Sequence, residues 1–450
     1  MKRIFNLLLT IFILNSSSLF ASSSISLEEA VEILKYNNLE IKSASLDVGS
    51  AKENVTTAYG NHWGKLDFIQ DFASSDDAGN VFGFKISSRE ATFNDFGFAD
   101  FGTISNDTPP QDLNYPNSRN FFQSKLKYEL PIFTGFKISS YVDVMKSMSK
   151  IKKLEKTKVI NEKIYQIRKS FYDMALLRES TINLNRILQN INTLQNITQN
   201  MIEVGYAKKV DLLEVKAKKG NVERLISQMH SNQKLLYHYI SFLLNQKTTN
   251  IKTPSIDVQM PLHSNEDILN SNLDIQRANS GLNARKSMID ISKSSYYPTL
   301  GAFAEVSTSD DTFFGDADDH ASYTVGARLT WNIFNGGIDS ANIEKSRLDF
   351  IKSQTQLALA KSGISLKVEK IRTEIESFDK DIESLEKELA LVNEIYKNYE
   401  GRYREKLSSM ADVIIKQSEQ IEKILQLQQT RNKRNERIFA LEKLANGEKQ

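Results

Sequence analysis

The apolar residues of this chain recur at helical spacing over long stretches. From Val368 to Tyr403 they are separated by alternating steps of three and four residues, and the positions between them are mostly charged or polar. A second series with the same period runs from Leu212 to Leu243. Such steps align apolar side chains along one face of a coiled-coil helix. The pattern predicts four long helices, at about 135–201, 210–245, 336–402 and 411–445.

The positions of the seven prolines allow helices of this length. A proline inside a helix costs about 3 kcal/mol. The 122 residues that follow Pro131 and the 152 residues that follow Pro298 contain no proline. A helix over residues 135–201 would be about 100 Å long. The segments are therefore predicted to be long paired rods, unlike the short helices of a globular enzyme core.

The period changes to two in the segments that precede the long helices. From Ser322 to Ile333, apolar residues alternate with small, hydroxyl-bearing or charged ones. This alternation predicts four strands, at about 65–73, 119–131, 299–308 and 321–333. A tilted membrane strand of about 9–11 residues and a half-buried strand of a soluble sheet both show it. The aromatic residues on the apolar side are candidates for contact with a membrane interface: Phe72, Tyr128, Tyr323 and Trp331.

The same order of strands and helices occurs twice. Ile132–Gly135 matches Ile333–Gly336 at an offset of 201 residues, and Asn38–Ile41 matches Asn272–Ile275 at an offset of 234. Each copy is predicted to contain a helix, a strand, a loop, a strand, a long helix, a turn and a further helix. We call the turn between the last two helices the tip. The predicted domains are a first repeat over residues 22–250 and a second repeat over residues 251–446. Four strands cannot close a membrane barrel, since the smallest have about 8, so several chains would have to contribute.

Residues 1–21 have the pattern of a secretory signal peptide. Lys2 and Arg3 precede the apolar run Ile4–Leu14, and small residues follow up to Ala21, after which cleavage is predicted. The alternative is a retained anchor, although the run is shorter than the roughly 20 residues that span a bilayer.

The composition narrows the chemistry. The chain has no cysteine, which excludes disulfides and thiolate metal sites. Without Lys2 and Arg3 it has 56 basic and 56 acidic residues, and such balance argues against a nucleic-acid partner. The histidines lack ligand-like spacing, and the aspartates of 308–321 match no EF-hand pattern. We therefore expect no metal or cofactor. The role of the long loop over 74–118 is left open.

Three groups of residues resemble the TolC-type outer membrane efflux family. Tyr297–Leu300 enters a strand, and Pro131–Gly135 and Trp331–Gly337 leave one. The third group is the tip pattern Val204-Gly205 followed by Val210–Leu213, which is echoed by Leu407–Ser409 and Asp412-Val413 in the second copy. The order, spacing and duplication of these motifs cover essentially the whole mature chain.

The resemblance implies an α+β membrane protein. Three chains would form a homotrimer with a 12-stranded β-barrel, four strands from each, in the outer membrane. The barrel would continue as a coiled-coil α-helical tunnel across the periplasm. Such a protein is no enzyme but a passive exit duct for drugs, metabolites or, in type I secretion, polypeptide. Its partners would be a periplasmic adaptor protein, an inner-membrane transporter and outer membrane lipid. The competing interpretation is a structural periplasmic coiled-coil protein without channel activity.

The resemblance also implies roles for the residues near the two tips. Seven residues of the two turns are expected to contact the adaptor: Val204, Gly205, Tyr206, Lys406, Leu407, Ser408 and Ser409. The residues expected to constrict the tunnel are Asp412, Tyr403 and Asp211. The two aspartates could equally be helix N-caps, and Tyr403 could simply pack in the coiled-coil seam. Three positions depart from the family pattern: Lys406 replaces glycine, Ser408 replaces the gating arginine, and Ile415 replaces a second acid.

Overall fold

A computed structural model describes residues 24–255, 258–313, 315–316 and 318–446 of the chain. The predicted signal peptide, residues 1–21, lies outside the described residues. The first half of the chain has the elements α1 (Leu27–Asn37), α2 (Leu39–Gly60), β1 (Lys65–Ser75), α3 (Ala78–Ser87), α4 (Gln111–Asn114), β2 (Arg119–Phe133), α5 (Lys137–Glu203) and α6 (Lys209–Leu244). The second half has α7 (Asn265–Ser271), α8 (Leu273–Lys293), β3 (Thr299–Asp310), β4 (Ser322–Thr330), α9 (Ile338–Arg404) and α10 (Met410–Leu444).

The four long helices begin and end within two residues of their predicted positions. Helices α5 and α9 both have 67 residues and start at positions separated by the 201-residue offset. Each is preceded by two residues with positive φ, Gly135 and Phe136 before α5, and Gly336 and Gly337 before α9. Left-handed backbone is rare for residues other than glycine. The glycines of the repeated motif therefore allow the same sharp turn from strand to helix in both copies.

The described chain forms two compact units, and their boundaries fall within helices. The helical unit comprises residues 24–49, 151–279 and 355–446, and the sheet unit comprises residues 50–150 and 280–354, as far as they are described. Each unit contains segments of both sequence repeats. The compact units therefore differ from the predicted repeats, because equivalent elements of the two repeats pack against each other.

The core of the helical unit follows the predicted seams. Every seam position from Val368 to Tyr403 is buried or half-buried, and so is every seam position from Leu212 to Leu243. Near the tips, residues of α5, α6, α9 and α10 form one apolar cluster, which includes Leu184, Ile191, Val215, Val222, Tyr396, Tyr403, Val413 and Ile421. The polar residue Lys219 of the second seam stays half-buried. Burial of the seams thus explains why the two hairpins α5–α6 and α9–α10 pack together.

A duplicated asparagine explains why the motif Asn-Leu-Glu/Asp-Ile occurs twice. Asn38 and Asn272 are each 3% exposed. The side-chain oxygen of Asn272 accepts hydrogen bonds from the backbone N–H groups of Asp274 and Ile275, and its amide donates to the carbonyl of Leu444 at 3.1 Å. Asn38 makes the equivalent bonds, including one to the carbonyl of Leu243 at 2.8 Å. Each asparagine therefore caps the helix that follows it and satisfies the last turn of another helix.

The sheet unit contains one antiparallel sheet with the strand order β1-β2-β3-β4. Strand β2 of the first repeat pairs with β3 of the second, with an irregularity between Pro131 and Phe133. Strand β4 ends at Thr330, three residues before the predicted end at Ile333. Thr330 pairs with Thr299, the first residue of β3, and Pro298 precedes it, so residues beyond Thr330 have no strand to pair with.

The first loop, residues 74–118, is predicted only as a loop of open role, and the structure gives it helical segments. It contains α3, which is capped by Asp77 through a hydrogen bond from the backbone N–H of Asn80 at 3.0 Å. Short 3₁₀ turns at 93–96 and 98–100 and the helix α4 follow. None of the described helices is both long and apolar enough to cross a membrane.

We expect Asn272→Ala to destabilise the helical unit by about 2 kcal/mol, because it removes a helix cap and leaves a buried carbonyl without a donor. Amide hydrogen exchange of the first turn of α8, together with thermal unfolding followed by circular dichroism, measures this loss. Asn270→Ala is the matched control, since Asn270 is exposed two residues earlier. Equal stability of the two variants would contradict the bridging role.

Candidate functional site

The first tip is the turn between α5 and α6. Gly205 has φ +82°, and its N–H donates to the carbonyl of Ile202 at 3.0 Å. The N–H of Tyr206 donates to the carbonyl of Met201 at 2.7 Å. This pair of bonds is the Schellman motif, which ends helices with a left-handed residue. Val204 and Tyr206 are exposed on the turn.

The second tip, between α9 and α10, has the same geometry although its left-handed residue is a lysine. Lys406 has φ +64°, and its N–H donates to the carbonyl of Tyr403 at 2.9 Å. The N–H of Leu407 donates to the carbonyl of Arg402 at 2.7 Å. A residue other than glycine pays about 1–2 kcal/mol for this conformation. The change from glycine to lysine therefore alters the chemistry of the tip and leaves its fold intact.

The two tips contact each other through that lysine. The Nζ atom of Lys406 lies 3.3 Å from the centroid of the Tyr206 ring. A cation over an aromatic face at an exposed site contributes about 0.5–1 kcal/mol. This attraction offsets part of the backbone strain at Lys406. We call this contact the tip clasp.

The carboxylates Asp211 and Asp412 cap the helices that follow the tips, from the third helical position. The N–H of Lys208 donates to Asp211 Oδ2 at 2.7 Å. The N–H and the hydroxyl of Ser409 donate to Asp412 Oδ2 at 3.1 and 2.7 Å, and the N–H of Asp412 donates to Ser409 Oγ at 3.2 Å. This arrangement is a capping box. The expectation that the aspartates are themselves N-caps is corrected, because Lys208 and Ser409 occupy that position.

Hydrogen bonds from Ser409 hold the pKa of Asp412 below its usual value, so the carboxylate is ionised at neutral pH. The side chain is half-buried. Asp412 is therefore charged while it caps the helix. The same carboxylate could cap the helix and also belong to an acidic ring that constricts the tunnel. Constriction by Asp211 and Asp412 stays a prediction.

Tyr403 is 5% exposed and belongs to the apolar cluster near the tips. Its hydroxyl donates to Thr198 Oγ1 of α5 at 3.3 Å, and burial raises the pKa of the phenol. Packing within the seam therefore accounts for its position in a single chain. Ser408 donates to the carbonyl of Tyr399 at 3.2 Å, and Ile415 is exposed. Neither side chain is charged, so neither can form the ion pairs that an arginine or an acid would form at these positions.

Two exposed apolar residues of the first tip motif are absent from the predicted contact residues. Val210 and Leu213 lie in the first turns of α6, and both are exposed. Val210 and Leu213 do not belong to the apolar seam that begins at Leu212. Apolar residues outside a seam are the sequence signal that could have identified this surface. Together with Val204 and Tyr206 they form an apolar surface on the first tip.

The sheet has two chemically different faces. The register places the apolar alternating residues of all four strands on one face. This apolar face is exposed, and Tyr323, the most exposed large apolar residue of β4, is 81% exposed. Its exposed large residues are Leu66, Phe68, Phe72, Leu126, Val306, Tyr323, Val325 and Leu329. An exposed apolar surface of this extent marks contact with a membrane or another protein.

The opposite face of the sheet is mostly polar and carries paired charges. Lys127 lies 2.7 Å from Glu129, and Lys65 lies 2.9 Å from Asp67 and 3.4 Å from Glu129. We call it the polar face. The ion pairs run along and between strands, as expected for a surface in contact with water. The sheet therefore separates an apolar environment from an aqueous one.

The predicted interface aromatics lie towards both ends of the apolar face. Phe72 packs against Phe122 near the first loop, with ring centroids 5.6 Å apart, and Tyr323 is the second residue of β4, near the short loop. Towards the other end, Tyr128 Oη donates to the carbonyl of Trp63 at 2.7 Å, and Trp331 Nε1 donates to the carbonyl of Tyr296 at 3.2 Å. An extended chain from residue 323 to residue 331 spans about 26 Å. Trp63 and Tyr296 are exposed aromatics that the strand pattern missed, because they lie outside the strands.

Solved structures share this fold. CusC, from a study of transmembrane channel formation, has a TM-score of 0.79 at 13% identity, and the match covers 96% of both chains. VceC of Vibrio cholerae has a TM-score of 0.76 at 13% identity, over 94% of this chain and 97% of that one. The Campylobacter jejuni CmeC outer membrane channel has a TM-score of 0.75 at 13% identity, over 96% and 90%. The fold is thus that of the outer membrane channels.

The sequence comparisons agree in the second half of the chain. Residues 265–447 match the family model described as outer membrane efflux protein. The proteins named putative multidrug resistance outer membrane protein MdtQ, from Shigella flexneri and from Escherichia coli K12, are 25% identical over 188 residues. That match covers 39% of this chain and only 38% of each relative's length. The predicted resemblance to the TolC-type outer membrane efflux family is confirmed, and so is the outer membrane location.

We expect Lys406→Met to loosen the second tip, because it removes the ammonium from the Tyr206 ring and keeps the left-handed strain. Amide hydrogen exchange at the tip should become about two- to fivefold faster, as a loss of roughly 0.5–1 kcal/mol implies. Lys209→Met, an exposed lysine at the start of α6, is the matched control. The clasp is contradicted if both variants exchange like the unaltered chain.

Proposed function

We propose that the chain is the outer membrane exit duct of a tripartite export system. The observation that carries the proposal is the sheet, with an exposed apolar face on one side and paired charges on the other. An apolar face suits lipid, and a charged face suits a water-filled passage. The family match and the channel fold support the same function.

The edges of the sheet favour pairing with further copies of the chain, and the family resemblance implies a homotrimer. Within the described part of the chain, β1 and β4 each have one neighbouring strand, so one side of each carries unpaired backbone groups. In lipid every backbone N–H and C=O must be satisfied by the protein. Pairing of β4 with β1 of the next copy would satisfy both edges, and three copies would close a barrel of 12 strands.

The tips are proposed to bind the partners of the duct. The exposed Val204, Tyr206 and Leu407, with Lys406 between the turns, offer an apolar surface that bears a positive charge. A periplasmic adaptor protein would contact this surface, and an inner-membrane transporter would supply the energy. The chain itself would conduct solute passively and carry out no bond chemistry.

The class of solute is a separate part of the proposal. The curated relatives carry the name multidrug resistance, which favours small molecules over secreted polypeptide. Accumulation of a fluorescent amphiphilic dye in a deletion strain, and its reversal by the restored gene, tests this choice. Normal dye export together with the loss of a secreted polypeptide would favour secretion instead.

We expect Val325→Lys to abolish stable membrane insertion. Val325 is exposed in the middle of the apolar face of β4, and a lysine at the centre of a bilayer costs a membrane sheet about 2–4 kcal/mol per copy. The yield of heat-sensitive trimer in detergent extracts of the outer membrane measures the effect. The control is Thr324→Lys, the adjacent residue on the polar face, which should insert normally.

A result in which both lysine variants insert equally well would contradict the orientation of the sheet. Release of the unaltered chain from envelopes without detergent would instead support the structural coiled-coil protein. The exposed apolar face argues against that alternative, because it would leave the face in water.

If Asp412 constricts the passage, Asp412→Asn should raise single-channel conductance and lower the preference for cations, as expected when an acidic ring is neutralised. Because hydrogen bonds from Ser409 hold the pKa of Asp412 below its usual value, the unaltered channel should keep that preference at acidic pH until the pH falls below the usual carboxyl range. Planar-bilayer recordings across pH measure both quantities. Glu405→Gln, at the exposed second tip, is the control, and identical behaviour of the two variants would leave Asp412 with capping alone.

A further inference from the structure

The first loop folds back over the polar face of the sheet. Phe84 of α3 stacks on Phe121 of β2, with ring centroids 4.3 Å apart and an angle of 11° between the planes. Phe121 alternates with Phe122, which contacts Phe72 on the apolar face, so Phe121 belongs to the polar face. Ser309 of β3 lies on the same face as Phe121, and its hydroxyl donates to the carbonyl of Ser87 at 3.1 Å.

Contacts of charged side chains hold the C-terminal end of α3 against the polar face of the sheet. Arg89 donates to the carbonyl of Ala321, at the end of the short loop, at 2.6 Å. Arg119, at the start of β2, forms ion pairs with Glu90 and, at 3.4 Å, with Asp311. Val81 of α3 is buried in the described structure. Helix α3 and the residues that follow it are therefore connected to β2, β3 and the short loop.

The same region is strongly acidic. Residues 76–118 carry seven acidic and two basic side chains, and residues 311–321 carry four acidic side chains and no lysine or arginine. The net charge of the two loops is therefore −9 per chain at neutral pH with histidine neutral. Three copies around one opening would create a negative potential that attracts cations and repels anions.

We infer that α3 and the two loops form an acidic cap, which narrows the outer mouth of the duct and disfavours anionic solutes. The inference rests on the proposed function, in which the polar face lines the passage. A helix with its side chains is about 10 Å across. Three copies of α3 on the inner side of one mouth therefore occupy space that an outward-projecting loop would leave open.

The absence of cysteine from the chain allows a local test. Ser307→Cys places a single thiol on the polar face, two residues further from the loops than Ser309, whose hydroxyl donates to the carbonyl of Ser87 in α3. Whole cells are treated from outside with a small maleimide or with a maleimide on a polyethylene glycol chain. We expect the small reagent to label the thiol and the bulky reagent to react at least tenfold more slowly.

Adding Phe84→Ala should release α3 and raise the rate of the bulky reagent at least fivefold. Phe93→Ala is the matched control, since Phe93 lies in the same loop, is 80% exposed and makes its ring contact with Phe98 of the loop. Replacement of residues 78–114 by a short Gly/Ser linker is a second way to remove the cap. Equal rates of the bulky reagent in all these variants would overturn the cap.

Charged thiol reagents test the electrostatic part. A cationic methanethiosulfonate should react with the thiol at residue 307 several-fold faster than an anionic one of similar size. The linker variant, which removes a net charge of −3 from each chain, should have a lower ratio. An unchanged ratio would overturn the acidic selectivity. Failure of the small maleimide to label the thiol, even in the linker variant, would instead contradict the proposed function, since the polar face would not line an open passage.

Discussion

The antiparallel pairing of β2 with β3 joins the two sequence repeats in a single sheet. This pairing brings the alternating residues of all four strands into one register, so that most large apolar residues lie on one face and most charged residues on the other. It also leaves β1 and β4 as edges whose backbone groups need partners. The outer membrane location and the proposed assembly of several copies agree with these two consequences, because lipid suits the apolar face and further strands satisfy the edges.

The tips show how a duplicated backbone can carry different chemistry. Both turns use the same pair of hydrogen bonds and a left-handed residue, and both following helices use a carboxylate at the third position. Gly205 adopts the left-handed conformation without strain, whereas Lys406 adopts it at a cost. In exchange, the second tip gains a cation that reaches Tyr206 of the first. A difference between two copies at one residue thus becomes a contact between them.

Periodic features of the fold could be predicted from the sequence, and contacts between distant segments could not. The seams and the alternation of apolar residues are local, so they gave the long helices and the strands nearly to the residue. The end of β4 was misjudged because it depends on where its partner β3 begins after Pro298. The tip clasp and the stacking of Phe84 on Phe121 join side chains that no local pattern connects. Helix α3 was overlooked because glycines and aspartates around it are typical of loops.

The distribution of differences between the repeats has a physical reason. Each seam residue touches several others in the coiled coil, and each strand residue has a fixed partner, so equivalent positions in helices and strands are constrained together. The connecting segments lack such partners and can change independently. One strand-pair loop is therefore long and contains α3, while the other is short and acidic, and one tip has glycine where the other has lysine. A difference in solute or partner between this chain and similar channels is therefore expected first in those connecting segments, where the two copies differ in length and backbone.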